Sequence, residues 1–139
     1  MIKVQVLDEE CTPIRQHYTD AGLDLKIAEA VEIEPGEFKK VSVGIKTAIN
    51  PGYFGLIAPR SGLGIRGIVL KNTVGIIDSD YRGEVFVTLY NIGDKVFKAA
   101  KGTRVAQLLV LPCFFGDVQF VKEVPQTARG EKGFGSTGV

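Results

Sequence analysis

The feature that most constrains this chain is a period of two in its apolar residues, repeated along much of its length. Ile2, Val4 and Val6 alternate with Lys3, Gln5 and Leu7; Val41, Val43, Ile45, Thr47 and Ile49 alternate with Ser42, Gly44, Lys46 and Ala48. The spacing returns at Val85, Val87 and Leu89, against Phe86, Thr88 and Tyr90, and at Val105, Gln107, Leu109 and Leu111, against Ala106, Leu108, Val110 and Pro112. Successive side chains of an extended chain point to opposite faces, so this period selects strands rather than helices. Both sets around residues 85–90 are apolar enough to predict a strand covered on two faces. Between the runs stand Glu34-Pro35-Gly36-Glu37, Asn50-Pro51-Gly52, Asn91-Ile92-Gly93-Asp94 and Lys101-Gly102. Proline presets φ, and glycine or asparagine accepts a positive φ, so each reads as a turn. Short strands punctuated this often predict an all-β sandwich or barrel. One helical turn near Ser61–Ile65 is the only helical expectation.

Charge and cysteine content narrow the function classes. With 139 residues the chain fits one domain, large enough to need no disulfide or metal staple. Its 17 Lys+Arg stand against 16 Asp+Glu, which excludes a nucleic-acid binder working by backbone charge alone. Cys11 and Cys113 form no CxxC pair, and the one histidine, His17, leaves a Cys/His zinc site and a His-based triad without partners. The thiols are expected to be reduced and buried, and His17 to be a surface residue at the entry to a loop. The N-terminal residues alternate like a strand rather than a signal peptide, and the longest apolar stretch, Val105–Phe115, falls short of the ~18–20 residues of a membrane helix. A soluble cytoplasmic protein (in the host cytoplasm or nucleus if viral) with no membrane or nucleic-acid partner is the expectation.

Glycine is the outlier, at 17 of 139 residues, and it concentrates in three segments that carry polar chemistry. Ala58-Pro59-Arg60-Ser61-Gly62-Leu63-Gly64 can present a guanidinium, a hydroxyl and bare backbone N–H groups together, as anionic oxygens require, although taken alone a tight turn with an exposed arginine is the simpler reading. Gly75-Ile76-Ile77-Asp78-Ser79-Asp80-Tyr81-Arg82-Gly83 places two carboxylates on one face of an extended chain. Asp78 ends an apolar run, where partial desolvation would suit a general base. On these residues alone a hairpin turn is the simpler reading. The tail from Arg129 holds four glycines, Gly130 among them, together with Phe134, Ser136 and Thr137, and fits a disordered terminus or a flexible clamp.

In this order, these segments resemble the five motifs of the trimeric deoxyuridine triphosphate nucleotidohydrolases (dUTPases). Ala21-Gly22-Leu23-Asp24-Leu25 is similar to the first motif and Pro59-Arg60-Ser61-Gly62-Leu63-Gly64 to the second. Asn72 through Gly83 resembles the third, Arg104-Val105-Ala106-Gln107-Leu108 the fourth, and Arg129-Gly130 to Gly138 the fifth. The fifth departs from many members at Glu131-Lys132, and Ile65-Arg66 stands where others carry a histidine after the second. Arg60-Ser61-Gly62 and Asp78-Ser79-Asp80-Tyr81 do not follow the pattern of the related dCTP deaminases.

The resemblance implies a jelly-roll-like β-sandwich over residues 1–128 and a mobile active-site tail over 129–139. It implies a homotrimer whose active sites are shared between subunits, and hydrolysis of dUTP to dUMP and pyrophosphate. Asp78 would be the general base. Asn72 and the backbone of Gly75, Ile76, Ile77 and Asp78 would read the uracil edge, and Tyr81 would pack on the deoxyribose. Arg60, Ser61, Gly62 and Gln107 would contact phosphates, and Asp24 would hold a water of Mg²⁺. From the tail, Phe134 would stack on uracil, with Arg129, Gly135, Ser136 and Thr137 gripping the triphosphate.

Overall fold

The computed structural model describes residues 2–133. Ten strands run through them: β1 (Ile2–Val6), β2 (Leu23–Lys26), β3 (Val31–Ile33), β4 (Phe38–Ile49), β5 (Tyr53–Pro59), β6 (Ile68–Leu70), β7 (Gly75–Ile77), β8 (Glu84–Asn91), β9 (Phe97–Ala99) and β10 (Arg104–Pro112). A 3₁₀ turn, Glu9–Cys11, and one short helix, α1 (Ser61–Gly64), complete the elements. The strands pair antiparallel into two four-stranded sheets, β1-β4-β8-β6 and β2-β10-β5-β7, with β3-β9 as a small third. Val41, Val43, Ile45, Val87 and Leu89 of one large sheet join Leu25, Ile57, Val105 and Leu108 of the other in one buried cluster. The fold is an all-β, jelly-roll-like sandwich.

The expected alternation holds along β4 except at its centre. Between Ser42, opposite Phe86, and Lys46, opposite Glu84, the strand bulges, and Val43, Gly44 and Ile45 are all buried. Gly44 adopts φ +63°, and a Cβ there would lie 2.7 Å from the Cβ of Cys11. Only glycine fits both constraints. The bend lets one half of β4 pair with β8 and the other with β1, closing that end of the sandwich. A second bulge, between Arg104 and Ala106, buries Val105 and Ala106 together and turns Gln107 toward the opposite face.

Two expectations are corrected. β8 is covered on one face only: Val85, Val87 and Leu89 are buried, but Phe86 is exposed on the outer face of its sheet. No second layer packs there among the described residues. Lysines cover part of it instead, with Lys40 Nζ 4.3 Å from the Phe86 ring centre and Lys71 Nζ 4.3 Å and 4.5 Å from those of Phe38 and Tyr90. Both cysteines are free, but only Cys11 is buried; Cys113 is half-exposed, because it follows the last strand rather than lying within one.

Beyond β10 the chain runs to residue 133 with no strand or helix, and Phe114, Phe115, Val118, Phe120, Val121 and Val124 stand exposed along it. At the other end Lys101 pairs with Asp8 at 2.7 Å and Glu10 at 3.4 Å, tying the 3₁₀ turn to the β9–β10 loop. The ammonium group holds the Asp8 carboxyl below its usual range, and the Asp8 carboxylate raises Lys101 in turn. No helix among the described residues is long and apolar enough to cross a membrane.

Candidate active site

Three strands of one sheet bring the first group of polar residues together. Asp24 on β2 lies opposite Gln107 on β10, which lies opposite Ala58 on β5, and Arg60 follows two residues on, just past the end of β5. Arg60 Nε sits 3.1 Å from Asp24 Oδ1, and Arg104 Nη1 donates to Asp24 Oδ2 at 3.0 Å. Arg60 Nη1 also donates to the Arg104 carbonyl at 3.2 Å, and Gln107 Nε2 to that of Pro59 at 3.2 Å. The Asp24 carboxylate is only 16% exposed, with both oxygens held by guanidinium groups. Such a pairing fixes both arginines while leaving further N–H donors unused. Gln107 packs closely because residue 22 is glycine: a Cβ there would lie 3.0 Å from Gln107 Oε1.

Ser61 opens α1 directly after Arg60, where the first N–H groups of a helix have no intrahelical acceptor. A Cβ at Gly62 would meet no atom within 4 Å, so the chain's own packing does not require glycine there. Facing this turn is a loop closed by the Ile14–Asp24 bridge, with N···O distances of 3.2 Å and 2.8 Å. Within it, the Asp20 carboxylate accepts from the His17 N–H at 2.8 Å, and Arg15 donates to the Asp20 carbonyl. Gln16, His17 and Asp20 thereby line a cavity of about 280 Å³ together with Asp24, Arg60, Ser61, Arg104 and Gln107. His17 is exposed, as expected, yet it faces this cavity.

The second group sits on β7 and the turn after it. β7 pairs with β5 alone, so its outer edge is unpaired among the described residues. It is entered through a tight turn in which Thr73 takes φ 64° and the Val74 N–H donates to the Asn72 carbonyl at 2.6 Å. Asp78 follows β7, and its carbonyl accepts from the Tyr81 N–H at 3.1 Å. Tyr81 Oη donates to the Glu84 carbonyl at 2.9 Å, and its ring lies against Gly83, where any side chain would displace it. Ile76, Ile77, Asp78 and Tyr81 line a separate cavity of about 280 Å³ with Lys40, Glu84, Val85 and Phe86. The expectation that Asp78 is partly desolvated is corrected: it is exposed, because it stands past the end of β7 in a turn rather than within the strand.

These two groups do not meet within one chain. β7 runs antiparallel to β5 with Gly55 opposite Ile77, so Asp78 lies beside one end of β5 and Arg60 leaves the other. Six steps along the chain lead from Phe54, beside Asp78, to Arg60, about 20 Å at ~3.3 Å per residue. Arg129 joins neither group; its Nε donates to the Lys132 carbonyl at 3.0 Å in the exposed segment. Phe134, Gly135, Ser136 and Thr137 lie outside the described residues. Among the described residues no three His, Cys, Asp or Glu side chains cluster as metal ligands. Arg104 has no role among those the motif resemblance implies, although it holds one of the two Asp24 oxygens. Strand alternation around it is broken by the bulge, which removes the signal that could have placed it.

Fold and cavities define a class first: an all-β sandwich with an arginine-lined cavity at its strand ends and a carboxylate on an edge hairpin. Comparison with known proteins gives the family. The dUTPase family profile matches residues 9–138. The chain is 44% identical over 140 residues to deoxyuridine 5'-triphosphate nucleotidohydrolase of Crocosphaera subtropica, covering 99% of both chains. It is 45% identical over 142 residues to that of Corynebacterium diphtheriae, covering 100% of this chain and 93% of that one. Among solved structures, Staphylococcus bacteriophage 80alpha dUTPase with dUpNHpp superposes with a TM-score of 0.91 at 30% identity, covering 100% and 99%. A dUTPase mutant from phage phi11 of S. aureus, described with a structural Mg(II) ion, gives 0.81 at 26% identity, covering 88% and 97%. The chain belongs to the dUTPase family.

Proposed function

We propose that this dUTPase cleaves dUTP with Asp78 as general base and with each active site assembled from several copies of the chain. A water held by the Asp78 carboxylate attacks the α-phosphorus. Its proton passes to Asp78, the bond from the α-phosphorus to the bridging oxygen breaks, and pyrophosphate leaves. Arg60, Ser61, Gly62 and Gln107 hold phosphate oxygens with a guanidinium, a hydroxyl, open backbone N–H groups and a carboxamide. Asn72 and the outer edge of Gly75, Ile76 and Ile77 read the uracil edge; the unpaired backbone groups of β7 supply a donor and acceptor row for it. Tyr81, pinned through its hydroxyl, leaves its ring to police C2′. The tail, residues 129–139, closes the site, with Phe134 over uracil and Arg129, Gly135, Ser136 and Thr137 on the triphosphate.

The single observation that carries this reading is the separation along β5. A base that holds water at the α-phosphorus must act within a few ångströms of the groups holding those phosphates, yet the course of β5 sets them about 20 Å apart in one chain. Two copies arranged so that β7 of one approaches α1 of the next unite them, which favours a closed ring such as a homotrimer. The exposed Phe114–Val124 stretch supports association, since contiguous exposed apolar surface marks contact sites.

The donor set also fits Mg²⁺ in one way. Mg²⁺ takes few protein carboxylates and many phosphate or water oxygens, and Asp24, already held by two arginines, has lone pairs left for a water of the ion. When bound, the ion supplies charge neutralisation on the phosphate oxygens. The free thiols suit a reducing cytoplasm. There the reaction would keep uracil nucleotide out of DNA precursors and supply dUMP. Pyrophosphate release from dUTP, dCTP, dTTP and UTP tests the reading. Release from dUTP exceeding that from dCTP by ~10⁴ is expected, because a mismatched base edge leaves buried polar groups unpaired; comparable release from dUTP and dCTP overturns it.

A further inference from the structure

Arg60, Ser61 and Arg104 also line a second cavity, of about 540 Å³, which takes in Gly62, Lys26 and Arg66. Its charge is one-sided. Among the described residues four cations and no carboxylate line it, and the nearby Asp24 is already engaged by Arg60 and Arg104. Lys26 and Arg66 take part in no ion pair among the described residues. Lys26 moreover lies directly opposite Arg104 across the β2–β10 ladder, where like charges repel. Arg66 is held from the far side by the Phe97 ring, its guanidinium carbon 5.9 Å from the ring centre. A whole chain of net charge +1 thus gathers unpaired cations into one recess beside the phosphate-binding turn.

From this we infer that Lys26 and Arg66 form an anion subsite for the terminal phosphates of the nucleotide and for the pyrophosphate they become. The inference rests on the proposed function and names two residues beyond the motif positions. A doubly charged phosphate end placed between Lys26 and Arg104 converts their repulsion into two charge-assisted contacts, and the ring-backed Arg66 supplies a third. The nucleoside monophosphate, which lacks these phosphates, does not use the recess.

Calorimetric titration of the full chain with inorganic pyrophosphate and, separately, with dUMP tests this without requiring turnover. The Lys26→Gln/Arg66→Gln double variant is expected to bind pyrophosphate about tenfold more weakly or worse. It should hold dUMP within about twofold, and Lys26→Arg should restore most of the pyrophosphate affinity. Lys39→Gln, which removes an exposed charge of β4 outside the recess, should change neither ligand. Unchanged pyrophosphate binding in the double variant overturns the subsite. Equal weakening of dUMP, or equal weakening by Lys39→Gln, overturns it too, since either marks a general field or a structural defect. Failure of the wild type to release pyrophosphate from dUTP would instead overturn the proposed function and leave the titration readable.

Discussion

At Gly62 the backbone φ is not left-handed and a Cβ would meet nothing within 4 Å, so alanine there costs the fold nothing. Gly62→Ala is therefore expected to keep or slightly raise Tm, since alanine favours the helical turn by ~0.5–1 kcal/mol. It should still raise KM for dUTP about tenfold by blocking the approach of phosphate; an unchanged KM would show that nothing docks on this turn. Asp78→Asn separates the same two properties at the other half-site. Loss of a general base lowers kcat by ~10²–10⁴, while dUTP affinity measured by titration should stay within about tenfold. A near-normal kcat would remove Asp78 from the mechanism. Asp78 could be named from its motif, but its exposure could not be read, because burial depends on what surrounds the end of β7 and not on the apolar residues that precede it.

The elements were legible in proportion to their length. β4, β8 and β10 contain enough alternating positions to declare a period of two, whereas β3, β6, β7 and β9 have three residues each and too few to distinguish a strand from a turn. The bulges escaped for another reason: a bulge is a property of register against a partner strand, and the alternation at Val43-Gly44-Ile45 looks unbroken in sequence. Gly44 is where that element is most fragile. Gly44→Ala must adopt φ +63° and push against Cys11, so it should destabilise by about 2 kcal/mol. Thermal melts at matched protein concentration check this, and an unchanged Tm would place the strain elsewhere. The same packing seals the Cys11 thiol, whose pKa burial pushes up. Under native conditions a thiol reagent should modify Cys113 promptly and Cys11 only after unfolding; equal rates would mean that this end of β4 opens readily.

For the whole molecule, the central claim is that no chain carries a complete site. Motif order along the sequence hides this, since Arg60 and Asp78 are only eighteen positions apart, and only the antiparallel course of β5 and β7 puts them at opposite ends. The decisive measurement is complementation between Asp78→Asn and Arg60→Gln chains, each nearly inactive alone. In a cyclic trimer every mixed ring contains one junction at which an intact Asp78 meets a neighbour's intact Arg60. Random co-assembly from equal amounts makes about three quarters of the rings mixed, so about a quarter of wild-type sites should be restored. Recovery of dUTP hydrolysis near that level in co-expressed, verified mixed assemblies is the predicted result; no recovery above the parents would contradict the shared site.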